Sequence, residues 1–388
     1  MTEDQLYVGR EQTRVKHFIL QKYLERFAHI IGFSWNTITY VDCFSGPWNV
    51  RSDDLTDSSF AIALEELRKA RDTHRKKGKT LNIRCIFLEK DPAAYARLKS
   101  FTDKVKDAQI ETHNKELAEV IDEVLRFVRN GGKESFPFVF IDPTGWKGFE
   151  MNLIAPLLRL QPGEVLINFM TDYIRRFVLS PDKETQKSFA GLFGSGDFRE
   201  QLQDLSEQDR EDALFQAYAA NVQKTGKFPF LCPAIVLYPE IERSFFHLIY
   251  ATRNRKGVEV FKEVEKKAMQ VMEQSRASAH QRKRVKKTSQ PELFSAEYLS
   301  PSNRIDDLRQ RYLAQTKQKV LNLLQGKLRV PYEDAWDMTL CVPLVWESDL
   351  KDWIREWQRE GLSIEGMKPT QKVPKRDEGN LLVWKGEG

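Results

Sequence analysis

Apolar residues along this chain fall into two alternating patterns, unbroken runs of strand type and stripes at helical spacing. Arg14 to Phe27 carries Val15, Phe18, Ile19, Tyr23 and Phe27 at helical spacing, with Lys16, His17, Lys22 and Arg26 at polar positions among them. Asn36 to Phe44 is the first strong strand. Ser59 to Ala70 is a helix with Phe60, Ala63, Leu64 and Leu67 on one face. Leu81 to Leu88 is a second buried strand that ends at Glu89-Lys90-Asp91-Pro92. Pro92 suits the first turn of a helix, which runs to about Phe101. Ala108 to Thr112 is a short third strand, Leu117 to Arg129 a helix, and Phe136 to Ile141 the fourth strand. Leu153 to Leu160 is helical and stops at Gln161-Pro162-Gly163. Glu164 to Phe169 is the fifth strand. Asp172 to Thr225 reads as a helical and loop insertion, and Lys227 to Tyr238 and Arg243 to Thr252 as two late strands in tandem. This alternation predicts an α/β fold, a Rossmann-like, methyltransferase-type sheet of seven mostly parallel strands with helices on both faces.

Val258 to Glu273 is a further amphipathic helix, and the pattern then changes. Ser275 to Pro291 is polar, basic and poor in apolar residues, and is expected to be a linker or mobile loop. From about Ile305 come three helices, Leu308 to Leu324, Pro331 to Met338 and Glu347 to Glu360, the last stopped by Gly361. Leu362-Ser363-Ile364 and Asn380 to Trp384 pair as a terminal hairpin. Three helices followed by a two-stranded wing is the winged-helix pattern. The expected division is residues 1–275, 276–304 and 305–388.

Composition narrows the classes. No window approaches the ~18 uninterrupted apolar residues of a membrane helix, and the polar N-terminus lacks an apolar signal core. A cytoplasmic protein without membrane contact is expected. The four cysteines, Cys43, Cys85, Cys232 and Cys341, form no CxxC pair, and three lie in apolar runs, where a free thiol behaves as a small hydrophobe. The net charge is a mild +5, but it is clustered. Arg68 to Lys79 holds seven Lys/Arg and one Asp, and Gln281 to Lys287 holds five Lys/Arg and no acid. Such clusters track phosphates or are simply solvated loops.

Candidate chemistry lies at strand ends. In an open α/β sheet, ligands bind just beyond the carboxyl ends of the strands. The first strand ends in Asp42-Cys43-Phe44-Ser45-Gly46-Pro47 and the fourth in Asp142-Pro143-Thr144-Gly145-Trp146. Two strands ending in Asp and a Gly/Pro turn are candidate walls of one site, of an S-adenosylmethionine type rather than a metal or phosphate type. Gly46 lets the backbone approach a ligand closely because it has no Cβ, although an ordinary strand-to-loop turn explains a single glycine equally well. Glu89 stands where Rossmann folds hold ribose hydroxyls. The candidate cofactor residues are thus Asp42, Phe44, Ser45, Gly46, Pro47, Glu89 and Asp91. Asp142-Pro143 followed by Trp146 is similar to the D-P-P-aromatic loop of amino-methyltransferases. Asp142, Pro143 and Trp146 are accordingly the candidate catalytic set, with Asp142 accepting from an exocyclic amine and Trp146 stacking on a base.

Other features carry less. The six histidines form no H-x-x-x-H or H-x-E pair, so zinc hydrolysis has no support. Gly191 to Gly196 lacks the Lys-Ser/Thr of a phosphate loop and reads as a flexible loop. Trp336, Trp353 and Trp357 recur at helical spacing and read as core.

Four segments together resemble the three-Cys-motif partner proteins, TcmP. Lys16-His17 with Ile19-Leu20 and Tyr23-Leu24 resembles that family's opening helix, and Tyr40 to Pro47 its Y-V-D-x-F-A-G-P-G segment. Phe140 to Gly145 resembles its F-I-D-P-F-G segment, and Tyr250-Ala251-Thr252 with Gly257 its late strand-and-helix block. Trp48 stands where the family prefers Gly, and Thr144 where it has an aromatic. The resemblance implies a methyltransferase-like Rossmann domain working beside a radical-type protein with three clustered cysteines, followed by a winged helix.

The expected function is an S-adenosylmethionine-dependent methyltransferase acting on nucleic acid, DNA or RNA. A non-catalytic nucleic-acid- or protein-binding module on a degenerate Rossmann scaffold is the competing reading. A magnesium nuclease acting through Asp42, Glu89 and Asp142 is a third.

Overall fold

The computed structural model describes residues 3–47, 50–194, 202, 205–288 and 303–385. Trp48, the Ser195-Gly196 end of the glycine-rich stretch, and residues 289–302 of the expected linker lie outside the described residues.

Seven strands form one sheet: β1 Thr37–Asp42, β2 Asn82–Leu88, β3 Gln109–His113, β4 Ser135–Ile141, β5 Glu164–Phe169, β6 Phe230–Leu237 and β7 Ser244–Thr252. Their order is β3-β2-β1-β4-β5-β7-β6. β1 to β5 pair in parallel, and β7 runs antiparallel to both its neighbours, β5 and β6. The sheet is thus mostly parallel and Rossmann-like, as its alternating pattern predicts. α1 Glu3–Leu6 and α2 Glu11–Ile31 precede it. α3 Ser59–Lys76, α4 Pro92–Thr102, α5 Leu117–Arg129 and α6 Met151–Leu158 connect successive strands. α7 Thr171–Phe177, α8 Lys183–Phe193 and α9 Glu207–Gly226 resolve the insertion between β5 and β6, and α10 Arg255–Thr288 follows β7.

All but the edge strand β3 are largely buried on both faces, so their side chains divide by alternation between two cores. Ile38 and Tyr40 of β1 pack with Leu20, Tyr23, Leu64 and Phe261 of α2, α3 and α10. Val41, the next residue along, packs on the other face with Val120, Ile154 and Tyr218 of α5, α6 and α9. A polar network crosses the first core. Tyr23 Oη donates to Glu164 Oε2 at 2.6 Å, Thr252 Oγ1 to Glu164 Oε1 at 2.8 Å, and the Tyr23 and Tyr250 hydroxyls lie 2.5 Å apart. It joins α2, β5 and β7.

The expected linker is a helix as far as the described residues reach. α10 continues unbroken through Thr288. Ser275, Arg276 and Ala279 are buried, and the Arg276 guanidinium donates to the carbonyls of Tyr238 and Ile241 and pairs with Glu242. Polar side chains do the work of apolar ones on this turn, so hydrophobic periodicity alone misses it.

The C-terminal region contains α11 Asn303–Lys327, β8 Arg329–Pro331, α12 Tyr332–Leu340, α13 Glu347–Trp357, a 3₁₀ turn Gln358–Glu360, β9 Leu362–Glu365 and β10 Leu381–Trp384. The strands form an antiparallel sheet of order β8-β10-β9, and β8 adds to the expected hairpin. Trp336, Trp353 and Trp357 are buried core residues, as their spacing predicts. This region packs directly on α9 and α10. Arg255 makes a two-pronged bond to Asp337 at 2.8 and 2.6 Å, Lys262 Nζ donates to the Val342 carbonyl, and Tyr312 Oη donates to Asp212.

Candidate functional site

Beyond the carboxyl ends of β1, β2, β4 and β5 lies a cleft of about 660 Å³. The β1 turn forms its first wall. Asp42 is fully buried, and its Oδ1 accepts from the Phe44 amide at 3.1 Å and its Oδ2 from the Ser59 hydroxyl at 2.8 Å. Burial pushes the Asp42 carboxyl up to about 7, against the lowering effect of those hydrogen bonds. Ser45 ties this turn to the end of β2: its amide donates to the Leu88 carbonyl at 2.7 Å and its hydroxyl accepts from the Leu88 amide at 3.2 Å. Asp42 and Ser45 therefore shape the turn from behind, while Phe44 and Gly46 face the cleft.

Glu89, only 4% exposed, lines the cleft just past β2, and its Oε1 accepts from the Asp91 amide at 2.7 Å. Asp91 itself is the cap of α4, where its carboxylate accepts from the Ala94 amide at 2.7 Å. Its role is to start the helix, not to line the cleft. Pro47 likewise presents its carbonyl to Arg97 at 3.4 Å and is not a wall of the cavity.

At β4, Asp142, Pro143 and Thr144 line the cleft. Both Asp142 oxygens already have partners: Lys16 Nζ lies 2.5 Å from Oδ2, and Asn168 Nδ2 donates to Oδ1 at 2.7 Å. With its amide so oriented, Asn168 keeps Oδ1 buried and without a hydrogen-bond partner. Trp146 is turned away. Its ring packs on Phe189 at 5.4 Å and Phe177 at 4.9 Å, against α8 and α7.

The residues that strand-end reasoning misses come from α2 and its approach. Arg10, Lys16 and His17 all line the cleft. Arg10 pairs with buried Asp57 at 2.7 Å. Burial raises the Asp57 carboxyl, but bonds from Ser52, the Arg51 amide and Arg10 outweigh it and hold it at about 2. His17 accepts or donates through Nδ1 to the Tyr7 hydroxyl at 2.9 Å. Burial, then the charges of Lys16 and Arg10, holds its imidazole well below the usual range, so it is neutral at pH 7. Lys16 and His17 are two among several polar residues of an amphipathic helix, so hydrophobic pattern did not mark them out. Asn168, the last polar residue of β5, carried no signal of its own.

The two basic clusters separate. Arg68 and Arg71 pair with Asp107, and Lys79 Nζ donates to the Phe33 carbonyl. Lys79 stands with Thr37 and Asn82, which open β1 and β2, at the edge opposite the cleft. The second cluster lies on α10 beside the cleft, where Arg282 pairs with Glu11, the neighbour of Arg10, and Lys283 with Glu240 at 3.1 Å.

No family model matches this chain, and no curated protein matches it. Among solved structures it is similar to a Legionella pneumophila protein of the family DUF519, at 10% identity and a TM-score of 0.39, covering 66% of this chain and 92% of that one.

Proposed function

We propose that this chain is an S-adenosylmethionine-dependent methyltransferase whose acceptor is nucleic acid. The observation that carries the reading is the position of Glu89, a buried carboxylate lining the cleft past β2, beside the Phe44 to Gly46 turn of β1. That is where a Rossmann-type sheet holds ribose hydroxyls and brings backbone close to a nucleoside. The strand order and the lone antiparallel β7 accord with a methyltransferase-type sheet. The cleft volume falls within the usual range of ligand pockets, roughly 300–1,000 Å³. The residues present therefore fit a nucleoside-bearing cofactor.

In this reading Glu89 binds the ribose, Gly46 admits the cofactor's close approach, and Phe44 packs beside it. The bound cofactor supplies an electrophilic methyl group. Asp142 orients the acceptor, and Lys16 and Asn168 hold Asp142 in place until the acceptor arrives. His17, whose charged form burial and the neighbouring cations disfavour, is a neutral polar wall of the site. We read the C-terminal helices and three-stranded sheet as a winged-helix unit that binds nucleic acid or a partner. The resemblance to TcmP adds a three-Cys-motif, radical-type protein as the proposed partner.

A second reading, a non-catalytic binding module, is favoured by one observation: both Asp142 oxygens are engaged and Trp146 packs away from the cleft. Transfer of a labelled methyl group separates the two. In the first reading wild-type protein labels an oligonucleotide, and Asp142→Ala abolishes labelling while cofactor affinity stays within a few-fold. Equal labelling by the variant removes Asp142 from its role; absence of labelling by wild type with its partner present favours the second.

A further inference from the structure

A second feature at the mouth of the cleft has no role in the site just described. Asp172, 1% exposed, opens α7 and receives three guanidinium groups: Arg175 at 3.0 Å, Arg176 at 3.1 Å and Arg243 at 3.0 Å. The Tyr238 hydroxyl donates to it at 2.7 Å. A carboxylate offers about four acceptor sites and each guanidinium five donors, so Asp172 is saturated while the arginines are not. Arg175 is mostly covered, its side chain 9% exposed, and takes a second acid, Glu207. Its field is also felt by Glu211, on α9, whose carboxyl burial pushes up. Arg176 and Arg243 are different. Their side chains are 47% and 37% exposed, and among the described residues the acid paired with each is the buried Asp172 alone.

Aromatic rings lie under these cations. The Arg176 guanidinium stands 4.8 Å from the Tyr173 ring centre and 5.7 Å from that of Phe177, and Arg243 stands 5.4 Å from that of Tyr238. Phe177 is 39% exposed, unusual for a residue of its kind, and packs at a tilt against Trp146. Tyr173 and Phe245 both line the cleft, so the patch is continuous with it. The basic end of α10 borders the same surface: Lys283 pairs with Glu240 in the β6–β7 turn, three residues before Arg243, and Lys286 and Lys287 are exposed.

The geometry points to a binding surface for single-stranded nucleic acid, in which Arg176, Arg243, Lys286 and Lys287 track phosphates and Phe177 offers a stacking face. Cations interleaved with exposed aromatic rings are the chemistry that such strands require. Duplex fits less well, because its bases are already stacked and cannot use Phe177. The inference rests on the proposed nucleic-acid acceptor and names where the strand lies relative to the cleft.

Fluorescence anisotropy of labelled oligothymidylate and oligouridylate over a range of salt tests it with the full chain. Each phosphate contact contributes about 0.7 to the slope of log affinity against log salt. Arg176→Ala/Arg243→Ala should lower the slope by about 1.4, and Lys286→Ala/Lys287→Ala, on an exposed helix turn, should do the same. Phe177→Ala should weaken binding about tenfold with the slope unchanged. Failure of wild type to bind either oligomer, unchanged slopes in both double variants, or equal affinity for duplex would overturn the inference. Calorimetry with S-adenosylmethionine on the same variants keeps the two readings apart. Retained cofactor binding with lost oligomer binding supports the surface. Oligomer binding with these slopes but no cofactor binding upholds the surface while the transferase reading falls.

Discussion

Lys16 Nζ lies 2.5 Å from Asp142 Oδ2, so the first long helix is bonded to the end of the fourth strand directly at the cleft. Both side chains are nearly buried, 13% and 12% exposed. Removing one partner of such a pair leaves the other charge poorly compensated, which costs several kcal/mol when burial is complete. Lys16→Met should therefore destabilise the protein by about 2 kcal/mol. Asp142→Asn in the same background should recover part of that loss. Urea denaturation of the two single variants and the double variant measures the coupling; strictly additive effects would show that the pair is not energetically linked.

The Asp42 carboxyl gives a pH dependence whose sign follows from its environment. Burial raises its folded value to about 7 from an ordinary value of 3.8. Folding therefore favours the protonated form. This contribution is fully present below about pH 4 and is lost as pH rises through about 7. Its full span is on the order of 4 kcal/mol at 1.36 kcal/mol per unit. Asp42→Asn should flatten the change in stability between pH 5 and pH 8, and should be more stable than wild type at pH 8. Denaturation of both proteins at the two pH values decides it, and parallel pH profiles would contradict the assignment.

Gly257 near the start of α10 has no room for a side chain. A Cβ there would meet the Tyr250 hydroxyl at 2.2 Å, with Glu164 Oε1 and Thr252 Oγ1 each at 3.0 Å. Alanine ordinarily improves a helix by up to about 1 kcal/mol over glycine, but overpacking of a filled core costs about 1–3 kcal/mol. Gly257→Ala should thus be net destabilising, and adding Tyr250→Phe should restore part of the stability by removing the clashing oxygen. Thermal denaturation reads both. A stabilised Gly257→Ala protein would mean that the Tyr23–Glu164–Tyr250 network yields easily.

The frame of the site was legible because local pattern and tertiary structure agree there. β5 and α5 begin and end where their apolar runs and stop signals place them, and Phe44, Gly46, Glu89, Asp142 and Pro143 all reach the cleft. What was not legible depends on contacts distant in sequence. Lys16 meets Asp142 across 126 positions, and nothing local distinguishes it from Lys22 on the same helix. Trp146 follows a plausible loop, but its ring is claimed by Phe177 and Phe189 of an insertion whose helices had no separate signal. The basic stretch after Ser275 stays helical because Arg276 finds three oxygen partners in the β6–β7 turn, a satisfaction no periodicity can report.

Calorimetric titration of the purified chain with S-adenosylmethionine and S-adenosylhomocysteine tests the central claim most directly. Saturable binding of both is expected, weakened at least tenfold by Glu89→Ala, since losing hydrogen bonds to a charged acceptor costs about 1.5–3 kcal/mol. Folded protein that binds neither ligand, or binding that Glu89→Ala leaves unchanged, would contradict it.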